Sequence, residues 1–187
     1  MIHNHFYHVR HLWIGIVLSL LTLFYGFGLG AAFGVAEDGI KESLKKSAQA
    51  NEAVYNGDNA GMSKVTEKAW IYFKRAHFHA TGMGAASLAM IIFLSLIKQQ
   101  GTITSMVTAT GLGAGAMGYS AFWMLAGIKA PVLGSTGLAK ESLAWLAIPS
   151  GGMFIFGTIV VIVIFAWGML GPPSSEKEGS EYSKPTF

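Results

Sequence analysis

Cysteine is absent from the 187 residues, which excludes disulfides, thiolate-held iron–sulfur clusters and a thiol nucleophile. Any metal or haem would have to be held by His, Met, Tyr or carboxylates. Charge is scarce as well: 12% of positions are Asp, Glu, Lys or Arg against 52% hydrophobic, and mean hydropathy is +0.46. That balance departs from soluble averages toward the membrane class. The net charge is only +3, and the basic residues alternate with acids in "KESLKK" and "SKVTEKAW". Such a solvated helical surface is no phosphate-binding stripe, so nucleic acid is not an expected partner. Soluble-enzyme signatures are missing too: there is no GxSxG, no phosphate loop followed by Lys and no HExxH.

What the chain does have is long apolar runs and 24 glycines. A bilayer core takes roughly 20 apolar residues in helical form, and four stretches qualify: 12–36, 76–97, 101–128 and 142–170. Charged residues bracket them, at Arg10, Glu37, Arg75, Lys98, Lys129, Glu141 and Glu176. An even number of spans puts both ends on one face, side A. Indoles concentrate at headgroup level, and Trp13 and Trp167 fall at side A while Trp70, Trp123 and Trp145 fall at side B. The apolar run after Arg10 is longer than a signal-peptide core and reads as a retained span. Side B carries nine basic residues and side A four, which would make side B cytoplasmic; seven of the nine lie in one long loop that could be translocated, so orientation stays open.

That loop, 37–75, is the main polar segment. Residues 37–55 read as a helix opened by acids, with Glu42 four residues before Lys46. "NGDN" at 56–59 is a turn signal, after which Val65, Ala69, Tyr72, Phe73 and Ala76 resume a helical period. The sequence therefore predicts an all-α integral membrane four-helix bundle, one membrane domain over 1–170, with an extramembrane helical hairpin between spans one and two and a polar, disordered tail at 171–187. A prokaryotic inner membrane is the expected location. "KQQ" at 98–100 makes spans two and three a tight pair, and the repeat of "KESL" at 41–44 and 140–143 is too short to establish a duplication.

The six histidines form two groups. His3, His5, His8 and His11 precede span one on side A; three of them repeat every three residues, which suits a metal but better suits an interfacial helix end among lipid headgroups. His77 and His79 sit in "RAHFHATGMG" at the side-B end of span two. Polar side chains within a span usually face the bundle interior and begin as functional candidates. Two residues apart on a helix they point about 200° apart, so both cannot ligate one iron. Around them lie Gly28, Gly30, Gly82 and Gly84, with Gly26 and Gly34 at neighbouring depths, and span four adds Pro149, Gly151 and Gly152. Missing side chains can let helices close together or leave a slot for a flat ring. Tyr119, Ser120 and Met124 approach from span three, and Glu37, Asp38 and Glu141 lie near the same level.

Three functions follow from this constellation. The first is a redox subunit holding haem b in the bundle and exchanging electrons with a quinone or a partner cytochrome, with His77 or His79 as one axial ligand. The second ligand would be Met83, Met124 or a histidine of a second copy in a homodimer. The second function is a non-haem Fe or Cu site made by His77, His79 and Glu37 or Asp38. The third is a non-catalytic accessory subunit filling a seam among partner membrane subunits in the lipid bilayer. A transporter is disfavoured, because the spans hold no acidic residue at mid-depth and no Arg or Lys away from their ends. "GLGAGAMG" at 111–118 imitates a dinucleotide loop, but it lies within an uncharged span with no strand before it and reads as packing.

Overall fold

The structure is a computed structural model that describes residues 9–96 and 103–170. The calls on His3, His5 and His8, on the turn at 98–100 and on the tail at 171–187 lie outside the described residues. A 3₁₀ turn, Arg10–Leu12, leads into α1, Trp13–Ala50; a second 3₁₀ turn, Glu52–Tyr55, precedes α2, Asn59–Leu96. Then come α3, Ile103–Leu133, the short α4, Thr136–Glu141, and α5, Ala144–Leu170. The described residues contain no strand.

α1 and α2 each run 38 residues, about 57 Å at helical rise and so well beyond a hydrocarbon core of about 30 Å. Their excess length forms the helical hairpin of residues 37–75. α1 breaks helical geometry at one residue, Ala36 (φ −134°, ψ 18°), where the apolar run meets Glu37 and Asp38. α2 has no such break, so the second arm of the hairpin runs straight into the apolar segment. Between the arms the chain reverses through Asn56 (φ 50°) and Gly57 (φ 81°); the left-handed pair is what an Asn-Gly sequence accommodates at low cost. Asp58 then opens α2 by accepting the Gly61 N–H on Oδ1 at 2.8 Å, an N-cap bond that satisfies a donor the helix leaves orphaned.

Among the described residues, three helices are long and apolar enough to cross a membrane: the first including its 3₁₀ lead, Arg10–Ala50, then Asn59–Leu96 and Ala144–Leu170. The fourth long helix, α3, is equally free of charge from 103 to 128, yet its apolar weight is diluted by Gly, Ala, Ser and Thr. Packing explains that composition. α3 is the central element, contacting α1, α2 and α5, while α5 rests on α3 and touches α2 only lightly. Small residues let the backbones meet: a Cβ at Gly113 would stand 2.7 Å from the Gly15 carbonyl oxygen, and one at Gly115 would stand 2.7 Å from that of Ser150. Ser87 on α2 donates to the Leu112 carbonyl on α3 at 3.0 Å. Thus "GLGAGAMG" is a packing surface, with Gly113 toward α1 and Gly115 and Gly118 toward α5.

The side-B end of α3 is tied to the hairpin. Tyr55, buried, donates its hydroxyl to the Pro131 carbonyl at 2.7 Å, and Gly134 turns at φ 62° beneath Val54. α4 follows, capped by Ser135, whose Oγ accepts the Leu138 N–H. The sequence reading assigned no element to residues 129–141. α5 continues as a helix across Pro149, so proline and the following glycines do not interrupt it.

Candidate functional site

His77 and His79 leave α2 on opposite sides, as their spacing requires, and each has its own surroundings. His77 faces α1. Its Nδ1–H donates to the Gly26 carbonyl oxygen at 2.8 Å, and the ring meets Phe33 edge-on at 6.0 Å. A Cβ on Gly30 would lie 2.8 Å from His77 Cε1, so the glycine gap in α1 is occupied by the imidazole itself. One turn away, Gly26 lies against Ala80 and Thr81, and Gly84 against Leu23. Gly28 and Gly82 are exposed, and a Cβ on either would meet nothing within 4 Å.

Of the two readings of the missing side chains, close approach of the helices or a slot for a flat ring, these placements show close approach. The inward glycines Gly26, Gly30 and Gly84 are closed by neighbouring side chains, and the outward ones, Gly28 and Gly82, face away from the bundle. The physical reason is that a glycine face attracts whatever can fill it, and here a histidine on the adjoining helix does so while satisfying its own polar nitrogen.

His79 faces α3. Its Nδ1–H donates back along α2 to the Arg75 carbonyl at 2.7 Å. The ring stacks on Trp123 with centroids 5.9 Å apart and meets Tyr119 edge-on at 5.1 Å. The Arg75 guanidinium lies over the same Trp123 ring at 4.7 Å and near Tyr72 at 5.6 Å, a geometry in which the cation is attracted by the ring quadrupole. Trp123 itself is buried, and its Nε1 has no hydrogen-bond partner. Tyr119 reaches α5 as well, lying 3.7 Å from the Cβ position of Gly151. Met124 packs against the cluster of Tyr72, Phe122 and Trp123, and Met83 is half-buried on α2. The sequence pointed to His79 and Tyr119 but missed Arg75 and Trp123. The available signal was spacing: Arg75 and His79, and Tyr119 and Trp123, each stand one helical turn apart and so form facing pairs.

The carboxylates do not join the histidines. Glu37 pairs with Lys41 one turn along α1, Asp38 is exposed beside it, and the described residues contain no group of three or more His, Cys, Asp or Glu able to hold a metal ion. His77, His79, Glu37 and Asp38 therefore do not fit a shared Fe or Cu centre: the imidazoles diverge, and the acids lie on the exposed side of the kinked segment. The hydrogen bond that Lys41 donates to Glu37, together with the nearby carboxylate charges, raises the Lys41 pKa above its ordinary value despite a smaller opposing effect of desolvation.

Concavities among the described residues lie elsewhere. A groove of about 440 Å³ opens between α1 and α5 over the floor of α3, lined among others by Ile14, Met106, Gly111, Ala114, Met153 and Phe156; it is nearly devoid of polar atoms and lies in the side-A half of the apolar segments. A cleft of about 420 Å³ lies between the hairpin arms, lined by Lys41, Lys45, Thr66, Glu67, Trp70 and Ile71. No family model, curated protein or solved structure matches the chain.

Proposed function

We propose that the chain is a non-catalytic membrane subunit, a four-helix bundle with an extramembrane hairpin that fills a seam in a larger assembly of membrane proteins. The observation that carries this is the closure at His77: the imidazole lies in the Gly30 gap and spends Nδ1 on Gly26, a packing role with no space kept for a guest. α5 agrees with it. Only 11% of its apolar window is buried, with Ile155, Phe156, Ile159, Ile162 and Val163 turned outward, so most of that helix is left for lipid or for neighbouring subunits. A prokaryotic inner membrane is the setting proposed.

Haem b redox chemistry with a quinone or partner cytochrome stands as the second reading, on one specific observation. Both imidazoles commit Nδ1–H to a backbone carbonyl, which leaves the lone pair on Nε2, the arrangement that orients a metal-ligating histidine. His79 would be the ligand, and Met124, Met83 or a second copy of the chain would have to supply the other. Purification from native membranes separates the two. A colourless protein held in fixed ratio by larger membrane subunits is the expected result. A Soret band that disappears in His79→Ala would overturn it in favour of haem, and iron or copper without a Soret band would overturn both.

A further inference from the structure

We propose that a membrane helix of the larger assembly, bearing a carboxylate at its side-B end, docks across the α2 and α5 edges of this chain and pairs that carboxylate with Arg75. The inference rests on the accessory-subunit reading and names the partner's chemistry. The Arg75 guanidinium lies over Trp123 at 4.7 Å and beside Tyr72 at 5.6 Å, yet among the described residues it makes no ion pair and no hydrogen bond. A guanidinium laid on an indole keeps its N–H edge open, in the fork that takes a carboxylate through two parallel bonds. This chain does not supply the acid. Along α2 to α5 the described acids are Glu67, two turns above Arg75 and accepting from Ser63, and Glu141, exposed at the end of α4. Against Glu141 stand Lys74, Arg75, Lys129 and Lys140 near the same ends of these helices, and Lys129 donates to the Ser142 hydroxyl instead of to an acid. The local charge is positive and calls for a negative group from outside.

Depth favours a helix-borne acid over a lipid phosphate. Arg75 immediately precedes the apolar run that opens at Ala76. The Trp123 ring beneath it packs with Leu143, two residues before the exposed Trp145, so two indoles mark the same level. Arg75 thus stands at the hydrocarbon boundary, whereas phosphates lie in a headgroup layer roughly 5–8 Å deep beyond it. An arginine serving that layer would extend outward. This one lies back on an indole that also carries the His79 ring, from one turn deeper on α2, so the charge is held at the boundary, where a side chain of a neighbouring helix can meet it.

The surface below Arg75 suits such a helix. α2 and α5 meet toward side A, where the Phe93 and Phe165 rings lie 5.5 Å apart, and otherwise touch only lightly. Toward side B, Tyr119 of α3 stands between them, its ring 5.1 Å from His79 and 3.7 Å from the Cβ position of Gly151. Helical spacing from Arg75 and His79 brings Gly82 and Ala86 to this edge of α2, and the facing edge of α5 carries Ala144, Ala147 and Gly151. None of these five small residues is buried, and a Cβ on Gly82 would meet nothing within 4 Å. Small residues on two rails let a third backbone come close, and the single cation at their side-B end fixes what that backbone must carry.

The test uses the full-length chain in phosphatidylcholine vesicles and a dansyl-labelled Leu-Ala transmembrane peptide with Glu at each headgroup boundary, so that either insertion direction presents an acid. Energy transfer from the chain's tryptophans to the dansyl group reads binding. The Glu peptide is expected to bind roughly three- to tenfold more tightly than the same peptide with Gln, the factor that one polar contact between membrane helices confers. Arg75→Gln should remove the preference. Gly82→Leu, which leaves Arg75 in place and meets no neighbour in the fold, should weaken binding of both peptides, while Gly28→Leu, equally open but on α1, leaves it intact; this pair decides the matter if Arg75→Gln does not fold. Equal binding of the Glu and Gln peptides, a preference that survives Arg75→Gln, or indifference to Gly82→Leu overturns the proposal. A preference abolished when phosphatidylglycerol replaces a third of the lipid also overturns it, by assigning Arg75 to a lipid phosphate. Co-purification with larger subunits is read separately, so a chain that keeps its subunits but shows no preference loses this inference alone.

Discussion

His77 on α2 and Gly26 on α1 are joined by a hydrogen bond of 2.8 Å from Nδ1–H to the carbonyl oxygen, and the same ring covers Gly30 one turn further along α1. One side chain therefore serves as both filler and fastener between two helices. Replacing it by Ala removes both functions. His77→Ala is expected to destabilise the protein by about 1–3 kcal/mol, the usual cost of a vacated packing position together with a lost bond. Gly30→Ala attacks the same contact from the other side, and overpacking of about 1–3 kcal/mol is expected. Thermal unfolding in detergent measures both. Because the two changes disturb one contact, the double variant should lose less than the sum of the singles.

The α3–α5 seam offers a comparison between two glycines on one helix. A Cβ at Gly115 would lie 2.7 Å from the Ser150 carbonyl oxygen and 2.8 Å from the Phe154 nitrogen, whereas one at Gly111 would meet nothing nearer than 3.8 Å. Gly115→Ala should lower stability by about 1–3 kcal/mol. Gly111→Ala should be neutral, or stabilising by a few tenths of a kcal/mol up to about 1 kcal/mol through helix propensity. Melting temperatures of the two variants in the same detergent decide it, and equal losses would mean that α5 does not approach α3 at Gly115.

Tyr55 gives the protein an alkaline limit. Its buried hydroxyl donates to the Pro131 carbonyl, and burial raises its pKa above the ordinary 10.0. A group whose folded pKa is raised adds stability that is complete below the unfolded value and is lost as pH rises through the folded one. The hairpin tip should thus hold at neutral pH and loosen only above about pH 10. Tyr55→Phe should abolish that pH dependence and cost about 1–3 kcal/mol at neutral pH, because the carbonyl is left unpaired. Hydrogen exchange at residues 52–58, followed from pH 8 to 11 with correction for intrinsic rates, reports both effects.

Trp123 should tolerate one substitution and resist another. Its Nε1 has no partner to lose, so Trp123→Phe is expected to change stability by less than about 1.5 kcal/mol, within the range of conservative core exchanges. Trp123→Ala removes the ring on which His79 and Arg75 both lie and should cost about 3–5 kcal/mol. Denaturant titration of the two variants tests the ratio.

The helical layout was legible because it depends on properties local to the chain. Apolar run length placed the first break of α1 at residue 36, the Asn-Gly pair placed the hairpin turn, and continuous periodicity from Val65 to Ala76 carried one helix from loop into span. The i, i+2 spacing also fixed that His77 and His79 diverge. What fills a glycine gap was not legible, since Gly30 and His77 are far apart in sequence and nothing local says that a ring crosses between them. The same holds for Glu37, near the histidines in depth but turned to Lys41. α4 was hidden for another reason: six residues are too few for periodicity, and only Ser135 as a cap signalled a helix.

The attachment of α5 almost wholly to α3 has a consequence for how the molecule is built and taken apart. α1, α2 and α3 contact one another in every pairing, so they can close without waiting for the last helix to be synthesised. α5 arrives on a finished platform as a separate, weakly held cooperative unit. Pulled from its carboxyl end, the chain would give up this helix at low force, as a discrete early step, before the remaining three yield together.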